Sequence, residues 1–410
     1  MRAAARRAGF AELETPCVES LELYQVKSGE EIAKQTWTFM DKGGRPVALV
    51  SETTPSVVRV FVDRAKSAPL PVKWLTVSKT WRYEEPQMGA GRTREFLQFN
   101  LDILGVPGVE ADADLLAAAA LVLDEIGAGG LYMIRLNDRA VAEGIGRLHG
   151  AADLDRFFQA VDRFRKTSAA DFASGLALAG VGPQSARELT AQFAEVGAGL
   201  PREAAETFLA RWVERGLDLA ARTGVDRVRT LLALLDRAGI SDRVVFDPTV
   251  VRGLAYYTST VFEGYARNGD NTRSVFGGGR YDHLVELFGG PPTPAVGLAI
   301  GDQTLEVLLR EGGRWPEGEP ALDTYVVVVD PSFAPDAMAV VQELRRAGIS
   351  AECDLLARSM SRQLREASRR RCRRALIVGL KEATPGALVE RDLATGVQRE
   401  IARDALARSA

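Results

Sequence analysis

Residues 94–105 read REFLQFNLDILG, and their alternation predicts a β-strand. Successive residues of a strand point to opposite faces, so Phe96, Gln98, Asn100 and Asp102 share one side and Leu97, Phe99, Leu101 and Ile103 the other. The apolar side is core. The other side is either a solvated sheet face or the wall of a pocket; an aromatic platform beside three hydrogen-bonding groups suits a flat ligand. Just upstream, VKWLTVSKTWRYE at 72–84 is also β-rich. The loop PQMGAGR joins the two, which predicts an antiparallel hairpin with a long tip. Arg82 and Glu84 share a face at one side of that tip, and Arg92 and Arg94 at the other. Guanidinium forks suit phosphate and a carboxylate suits an exocyclic amine, so a nucleotide fits here; surface ion pairs are the plainer reading.

Outward from the hairpin, 47–52 reads as strand and 55–68 as helix. A helix (111–130) and a strand (131–138) follow. Residues 151–240 are rich in Ala, Arg, Glu and Leu at helical spacing throughout, a helical insertion. Strands return at 244–248, 256–266 and the glycine run GGGRYDHL at 277–284; PPTPAVGLAIGDQTLEVLL then gives a turn, a strand and a helix. Gly- and Pro-rich residues 311–322 read as a linker. Beyond them strands alternate with helices, a small α/β domain. The expected organisation is thus one domain in two parts, 1–150 and 241–315, interrupted by the insertion and followed by a second domain at 322–410.

Of 410 residues, 46% are hydrophobic and 26% charged, the balance of a globular protein rather than a disordered or fibrous one. Net charge is −3, so a nucleic-acid site has to be a local patch. The run MSRQLREASRRRCRR offers one, with Arg362, Arg365 and Arg369 on a helix face, although such a face is often merely solvated. Three distant cysteines and two histidines leave no metal-ligand spacing, and reduced thiols fit a cytoplasmic protein. The N-terminus lacks the apolar core of a signal peptide. No apolar run reaches the about 18 residues of a membrane helix. GGGRYD lacks the Gly-Lys-Ser/Thr ending of a phosphate loop; by itself it reads as tight turns or close strand packing.

Together these segments resemble the histidyl-tRNA synthetases. TWRYEEPQMGAGRTREFLQFNLDILG is similar to motif 2 of class II aminoacyl-tRNA synthetases. VRGLAYYTSTVFE and GGGRYDHL resemble the two histidine-specific motifs, in wording nearer the archaeal-type branch. AVGLAIGD stands at motif 3, and the chain from YVVVVDPS onward resembles the anticodon-binding domain. The resemblance implies an α+β fold: a six-stranded antiparallel catalytic sheet flanked by helices, the helical insertion and a C-terminal α/β domain. It implies a homodimer acting on L-histidine, ATP with Mg2+, and tRNA(His). By motif position, Arg82 would hold the ATP α-phosphate, Glu84 the adenine amine and Arg92 the outer phosphates, with Phe96 stacked on adenine. Glu52 and Thr54, two apart on a strand face, would join Gln98 at the histidine α-amino group. Asp102 and Tyr257, beside Tyr256, would read the imidazole. Arg252 would contact the histidine carboxylate and the α-phosphate, and Arg280 and Tyr281 would complete the pocket. Arg82 and Arg252 are the expected catalytic residues, and Arg362, Arg365 and Arg369 the expected tRNA contacts.

The pattern departs from the family in places. The chain begins inside the family's first helix. Val50 and Ser51 stand where Arg-Pro is common, Gly89–Gly91 carries two extra loop residues, and Thr304 replaces the arginine that many class II enzymes lay over adenine. Two other functions compete: a histidine-binding regulatory paralogue, like the regulatory subunit of ATP phosphoribosyltransferase, and a synthetase-like protein serving a carrier other than tRNA.

Overall fold

The computed structural model describes residues 1–25, 35–65, 68–86, 91, 93–252, 256–267, 274–316, 322–379 and 387–403. It divides into two compact units, Met1–Trp315 and Pro316–Ala410.

Among the described residues, the large sheet of the first unit has eight strands. In chain order they are β1 (Ala11–Glu12), β5 (Val72–Trp81), β6 (Glu95–Leu104), β7 (Tyr132–Asp138), β8 (Val244–Phe246), β9 (Thr260–Ala266), β10 (Ser274–Arg280) and β11 (Ala295–Gly301). They lie side by side as β1-β5-β6-β11-β10-β9-β7-β8. The six inner strands are all antiparallel, as the resemblance implies. The two short edge strands are parallel to their neighbours. The predicted hairpin is β5–β6, paired from Val72 opposite Leu104 to Trp81 opposite Glu95. A separate three-stranded sheet orders β2 (Val18–Ser20), β4 (Pro46–Leu49) and β3 (Thr38–Met40).

Helix α3 (Glu110–Glu125) covers the apolar face of the large sheet. Its Leu115, Leu116, Ala119 and Val122 are fully buried in one core with Leu101 and the nearly buried Phe99 and Ile103. Burying a side chain of this size contributes about 1.5–3 kcal/mol. The stretch 151–240 is helical as expected: α5 (Leu154–Arg163), α6 (Ala169–Leu178), α7 (Pro183–Glu195), α8 (Arg202–Glu214) and α9 (Leu219–Arg237). Asp153, Ser168 and Asp218 cap α5, α6 and α9 by accepting backbone N–H groups. Its aromatic core, with Phe157, Phe172, Phe193 and Trp212, is continuous with the core under the sheet. Helix α9 is also tied by charge: Arg227 grips the buried Asp138 through two bonds of 2.7 and 2.9 Å. Asp138 in turn caps α4 (Arg139–Leu148).

The second unit orders five strands as β13 (Ala351–Cys353), β12 (Thr324–Val328), β14 (Arg374–Val378), β15 (Ala387–Asp392) and β16 (Gln398–Ala402). The first three are parallel and the last two form an antiparallel hairpin. Tyr325 and Val327 pack with Ala367 of α13 (Met360–Arg369). Val326 and Val328 pack with Val340 and Leu344 of α12 (Ala334–Arg346). Both faces are covered, which is why this strand is apolar without alternation.

Arg280 corrects an expectation. The resemblance places it in the pocket beside Tyr281, but it is the last residue of β10, and alternation sends it to the opposite face. There it is 2% exposed. It holds Asp112 of α3 at 2.8 Å, and the carbonyls of Val106 at 3.0 Å and Gly108. It is a structural tie between sheet and helix. Removing one member of a buried pair strands the other and costs about 3–5 kcal/mol, whereas an apolar pair can be neutral. Arg280→Met is therefore expected to lower unfolding free energy in urea by about that amount, and adding Asp112→Leu to restore most of it. A single variant as stable as the parent would refute the assignment.

Candidate active site

The site is founded on residues that lack bulk. On β11, Gly297, Ala299 and Gly301 share one face; Val296, Leu298 and Ile300 on the other face are buried in the core. On β10, Gly277 and Gly279 share a face. In register, Gly297 lies between Asp102 of β6 and Gly279, and Ala299 between Asn100 and Gly277. A Cβ at Gly297 would stand 2.2 Å from Asp102 Oδ1, one at Gly279 2.8 Å from Tyr257 Cδ1, and one at Gly277 2.5 Å from Arg252 Nη1. The glycine run is thus a strand with near neighbours on its face, and not a set of tight turns.

Into this recess β6 presents Gln98, Asn100 and Asp102, all buried. The polar row is a pocket wall rather than a solvated face. Asp102 accepts a 2.5 Å hydrogen bond from the Tyr281 hydroxyl. The Tyr256 hydroxyl donates to Glu52 Oε1 at 2.6 Å, and the Tyr256 and Tyr257 rings pack with centroids 4.5 Å apart. Burial pushes the Tyr256, Tyr257 and Tyr281 phenols above their ordinary value, and Glu52 beside Tyr256 and Asp102 beside Tyr281 push further in the same direction. All three are neutral donors at physiological pH.

Thr54 is placed otherwise than expected. The strand β4 stops at Leu49, and Thr54 opens helix α2 (Thr54–Arg64) with Pro55 in its first turn. Glu52 and Thr54 therefore share no strand face, because the proline-started helix turns the chain. Thr53, which the sequence reading passed over, faces the site instead. Its hydroxyl shares a 2.6 Å bond with Ser78 and approaches Gln98 Oε1 at 3.4 Å.

Beside the recess opens a cleft of about 560 Å³, whose lining includes Arg82, Glu84, Phe96, Arg252, Glu263 and Thr304. Arg82 bonds the Ser51 carbonyl at 3.1 Å and lies over the Phe96 ring at 5.3 Å. Arg92 lies outside the described residues. Arg252 has a left-handed backbone, φ +57°, a conformation that costs a non-glycine residue about 1–2 kcal/mol. Its guanidinium crosses β10 at Gly277 and pairs with Glu263 of β9. Burial works against its charge, but Glu263, Tyr257 and Tyr256 outweigh this and its pKa is raised. Glu263 also accepts from the Tyr265 hydroxyl; burial works to raise its pKa, but Arg252 and Tyr265 together with Lys166 outweigh this and it is lowered. Thr304 is turned to the backbone, bonding the Val275 and Gly301 carbonyls at 3.0 and 3.1 Å. Glu263 was legible in principle, since it shares a strand face with Val261 and Tyr265, opposite Phe262 and Gly264. Lys166, which also lines the cleft, was not, because it sits in a helical turn (Phe164–Lys166) far off in sequence.

In the second unit, Arg362, Arg365 and Arg369 are all exposed on α13. The arginine run is not uniform, however. Arg369 and Arg370 clasp Glu366, holding its carboxyl down at about 2, and Arg374 is buried against Thr324 and Glu390. Among the described residues, Arg362 and Arg365 have no ion-pair partner.

Gly297→Ala tests the recess. Overpacking of this kind costs about 1–3 kcal/mol, here by displacing Asp102 from Tyr281. If the recess takes histidine, as the resemblance implies, calorimetric affinity for the free amino acid falls about tenfold or more with the circular dichroism spectrum retained. Unchanged affinity would remove Asp102 from the pocket.

Comparison with known proteins bears on the whole chain. Residues 1–305 match the family model for histidyl-tRNA synthetase, and residues 323–409 the model for an anticodon binding domain. The histidine–tRNA ligase of Thermoplasma volcanium is 37% identical over 95% of this chain and 88% of that protein. That of Natronomonas pharaonis is 38% identical over 97% and 89%. The crystal structure of histidyl-tRNA synthetase from Nostoc sp. PCC 7120 superimposes with a TM-score of 0.84 at 24% identity, covering 99% of this chain and 92% of that one. With relatives of this similarity along nearly its full length, the chain belongs to the histidyl-tRNA synthetase family, as a catalytic aminoacyl-tRNA synthetase rather than a regulatory relative.

Proposed function

We propose that this chain activates L-histidine with ATP and transfers it to the 3′ end of tRNA(His). The observation that carries the reading is one sheet face that joins a small polar recess, with Asp102 and Tyr281 at its base, to a cleft bearing Arg82 and Arg252. In the first step a histidine carboxylate oxygen attacks the α-phosphorus, the bond to the bridging oxygen breaks, and pyrophosphate leaves with that electron pair. Two anions must approach, so the requirement is positive charge preorganised at the α-phosphate. Arg82 and Arg252 supply it. No protein base is needed, because the nucleophile is already ionised. In the second step a terminal ribose hydroxyl of the tRNA attacks the activated carbonyl and AMP departs. Glu84 and Phe96 hold adenine, and Arg92 the outer phosphates. Glu52, Thr53 and Gln98 surround the histidine amino group. Asp102 and Tyr257 face the imidazole; buried groups of this kind reject apolar analogues, which would leave them unpaired.

Magnesium fits as a companion of the triphosphate. It keeps several waters and needs only one or two carboxylates beside substrate phosphates, and the cleft offers Glu84. Among the described residues no three or more His, Cys, Asp or Glu form a metal-sized cluster. When bound, the ion supplies further neutralisation of phosphate charge. A homodimer accords with the small sheet, which leaves Val18, Phe39 and Met40 43%, 48% and 62% exposed, an apolar surface suited to a second copy. Among the described residues no helix is long and apolar enough to cross a membrane, and the three cysteines are free thiols, in keeping with a cytoplasmic setting.

Arg252→Ala is expected to lower histidine-dependent pyrophosphate exchange by about 10²–10³-fold, the effect of losing one preorganised donor. Arg252 is not merely solvated in the free protein, since it holds Glu263. Arg252→Ala/Glu263→Gln, which leaves no lone carboxylate, should therefore show the same loss; near-normal exchange in both would exclude Arg252 from the mechanism. Replacing Arg362, Arg365 and Arg369 together with Gln should weaken charging of tRNA, more steeply as salt rises, while exchange is preserved. Equal losses in both reactions would argue against an RNA-binding role. Exchange without any charging of tRNA by the parent protein would favour a carrier other than tRNA.

A further inference from the structure

Arg252 can serve only if its unusual backbone is held, and neighbouring residues hold it. Arg139, the first residue of α4, donates from Nη1 to the carbonyls of Val251 at 2.9 Å and Arg252 at 3.3 Å. Its own backbone N–H bonds the Ser259 carbonyl at 2.9 Å, on the far side of the same loop. The guanidinium is stacked on the Phe158 ring of α5, 4.3 Å from its centroid. Among the described residues no carboxylate lies within ion-pairing distance of it. Burial pushes its pKa down, and Glu143 and Asp155 only partly oppose this. A half-buried cation held by carbonyls and a ring, with no carboxylate partner, is costly and calls for a reason. Upstream, the loop is tied by Asn137, which bonds the Pro248 and Val250 carbonyls at 3.2 and 3.1 Å, and by Arg165, which holds Asp247 at 2.7 Å.

We infer that Arg139 is a positioning residue for histidine activation: its fork locks Arg252 in the left-handed conformation that lays the guanidinium over Gly277, and Phe158 of the helical insertion completes the lock. The insertion thereby takes part in the first half-reaction, which involves no tRNA. A lysine could satisfy one carbonyl but lacks the flat fork that stacks on a ring. Arg139 touches no reacting atom, so its loss should misplace Arg252 rather than remove a contact to substrate; a misplacement of about 1 Å can cost about a hundredfold in rate.

The inference rests on Arg252 acting in catalysis as proposed above. The test is steady-state pyrophosphate exchange without tRNA, at a temperature where thermal melts show each variant fully folded. Arg139→Met is expected to lower kcat about ten- to a hundredfold, with KM for ATP and histidine within about threefold of the parent. Arg139→Lys should recover part of kcat, and Phe158→Leu, which keeps bulk but removes the ring face, should lower it about three- to tenfold. Arg139→Met/Arg252→Ala should be no slower than Arg252→Ala alone, because both act through one group. Unchanged kcat in a folded Arg139→Met, or losses that add in the double variant, would overturn the inference. If Arg139→Met does not fold, an unchanged kcat in Phe158→Leu overturns it. Near-normal exchange by Arg252→Ala would instead defeat the catalytic assignment of Arg252 itself, a result separable from the others.

Discussion

One constraint governs the site: the centre of the sheet must carry almost no side chain on its working face. Gly277, Gly279, Gly297, Ala299 and Gly301 supply that floor, and Arg252, Tyr257 and Asp102 lie too close for a Cβ on Gly277, Gly279 and Gly297 respectively. A glycine in a strand costs roughly 0.5–1 kcal/mol relative to alanine. The cost is tolerated because the opposite face of the same strands is fully committed to the core. Val296, Leu298 and Ile300 of β11 are all buried, on the face that α3 covers. Stability is drawn from one side of the sheet and room for chemistry from the other.

Charge follows the same division. On the core side Arg280 and Asp112 are permanently closed on each other, an arrangement that tolerates no exchange of partners. On the working side Arg252 and Glu263 are paired at the edge of a cleft. Substrate phosphates can compete for that guanidinium, while Tyr265 remains to serve Glu263. Two arginines of one chain thus play opposite parts because one has lost all access to solvent and the other faces a cavity. The tyrosines complete the contrast. Held neutral by burial, they offer hydroxyl donors without adding negative charge where two anions have to meet.

The helical insertion is more than an appendage. Its core merges with that of the sheet, Arg227 is locked to Asp138, and Arg165 and Phe158 reach the loop that carries Arg252. Such ties are rigid because each buries a planar guanidinium against a fixed partner. Lys166 adds a cation from the same stretch to the cleft wall. The loop that carries Arg252 is therefore held by residues about a hundred positions away in sequence.

Much of this was written in local pattern. Alternation along 94–105 separated a core face from a polar face, and helical period marked 151–240 as a module, because side-chain direction follows backbone period alone. The motif spellings led to the family and to Arg82, Arg252, Asp102 and Tyr281. Other features were not local. Whether the arginine next to Tyr281 faces pocket or core depended on a one-residue alternation and on Asp112 waiting across the sheet. Whether Thr53 or Thr54 faces Gln98 depended on where a proline-started helix turns the chain. The grip of Arg139 and Phe158 on Arg252 joins segments with no shared pattern. Periodicity specifies which way a residue points within its own element, but the partner it meets there is set by how separate elements pack, and only the tertiary structure decides that.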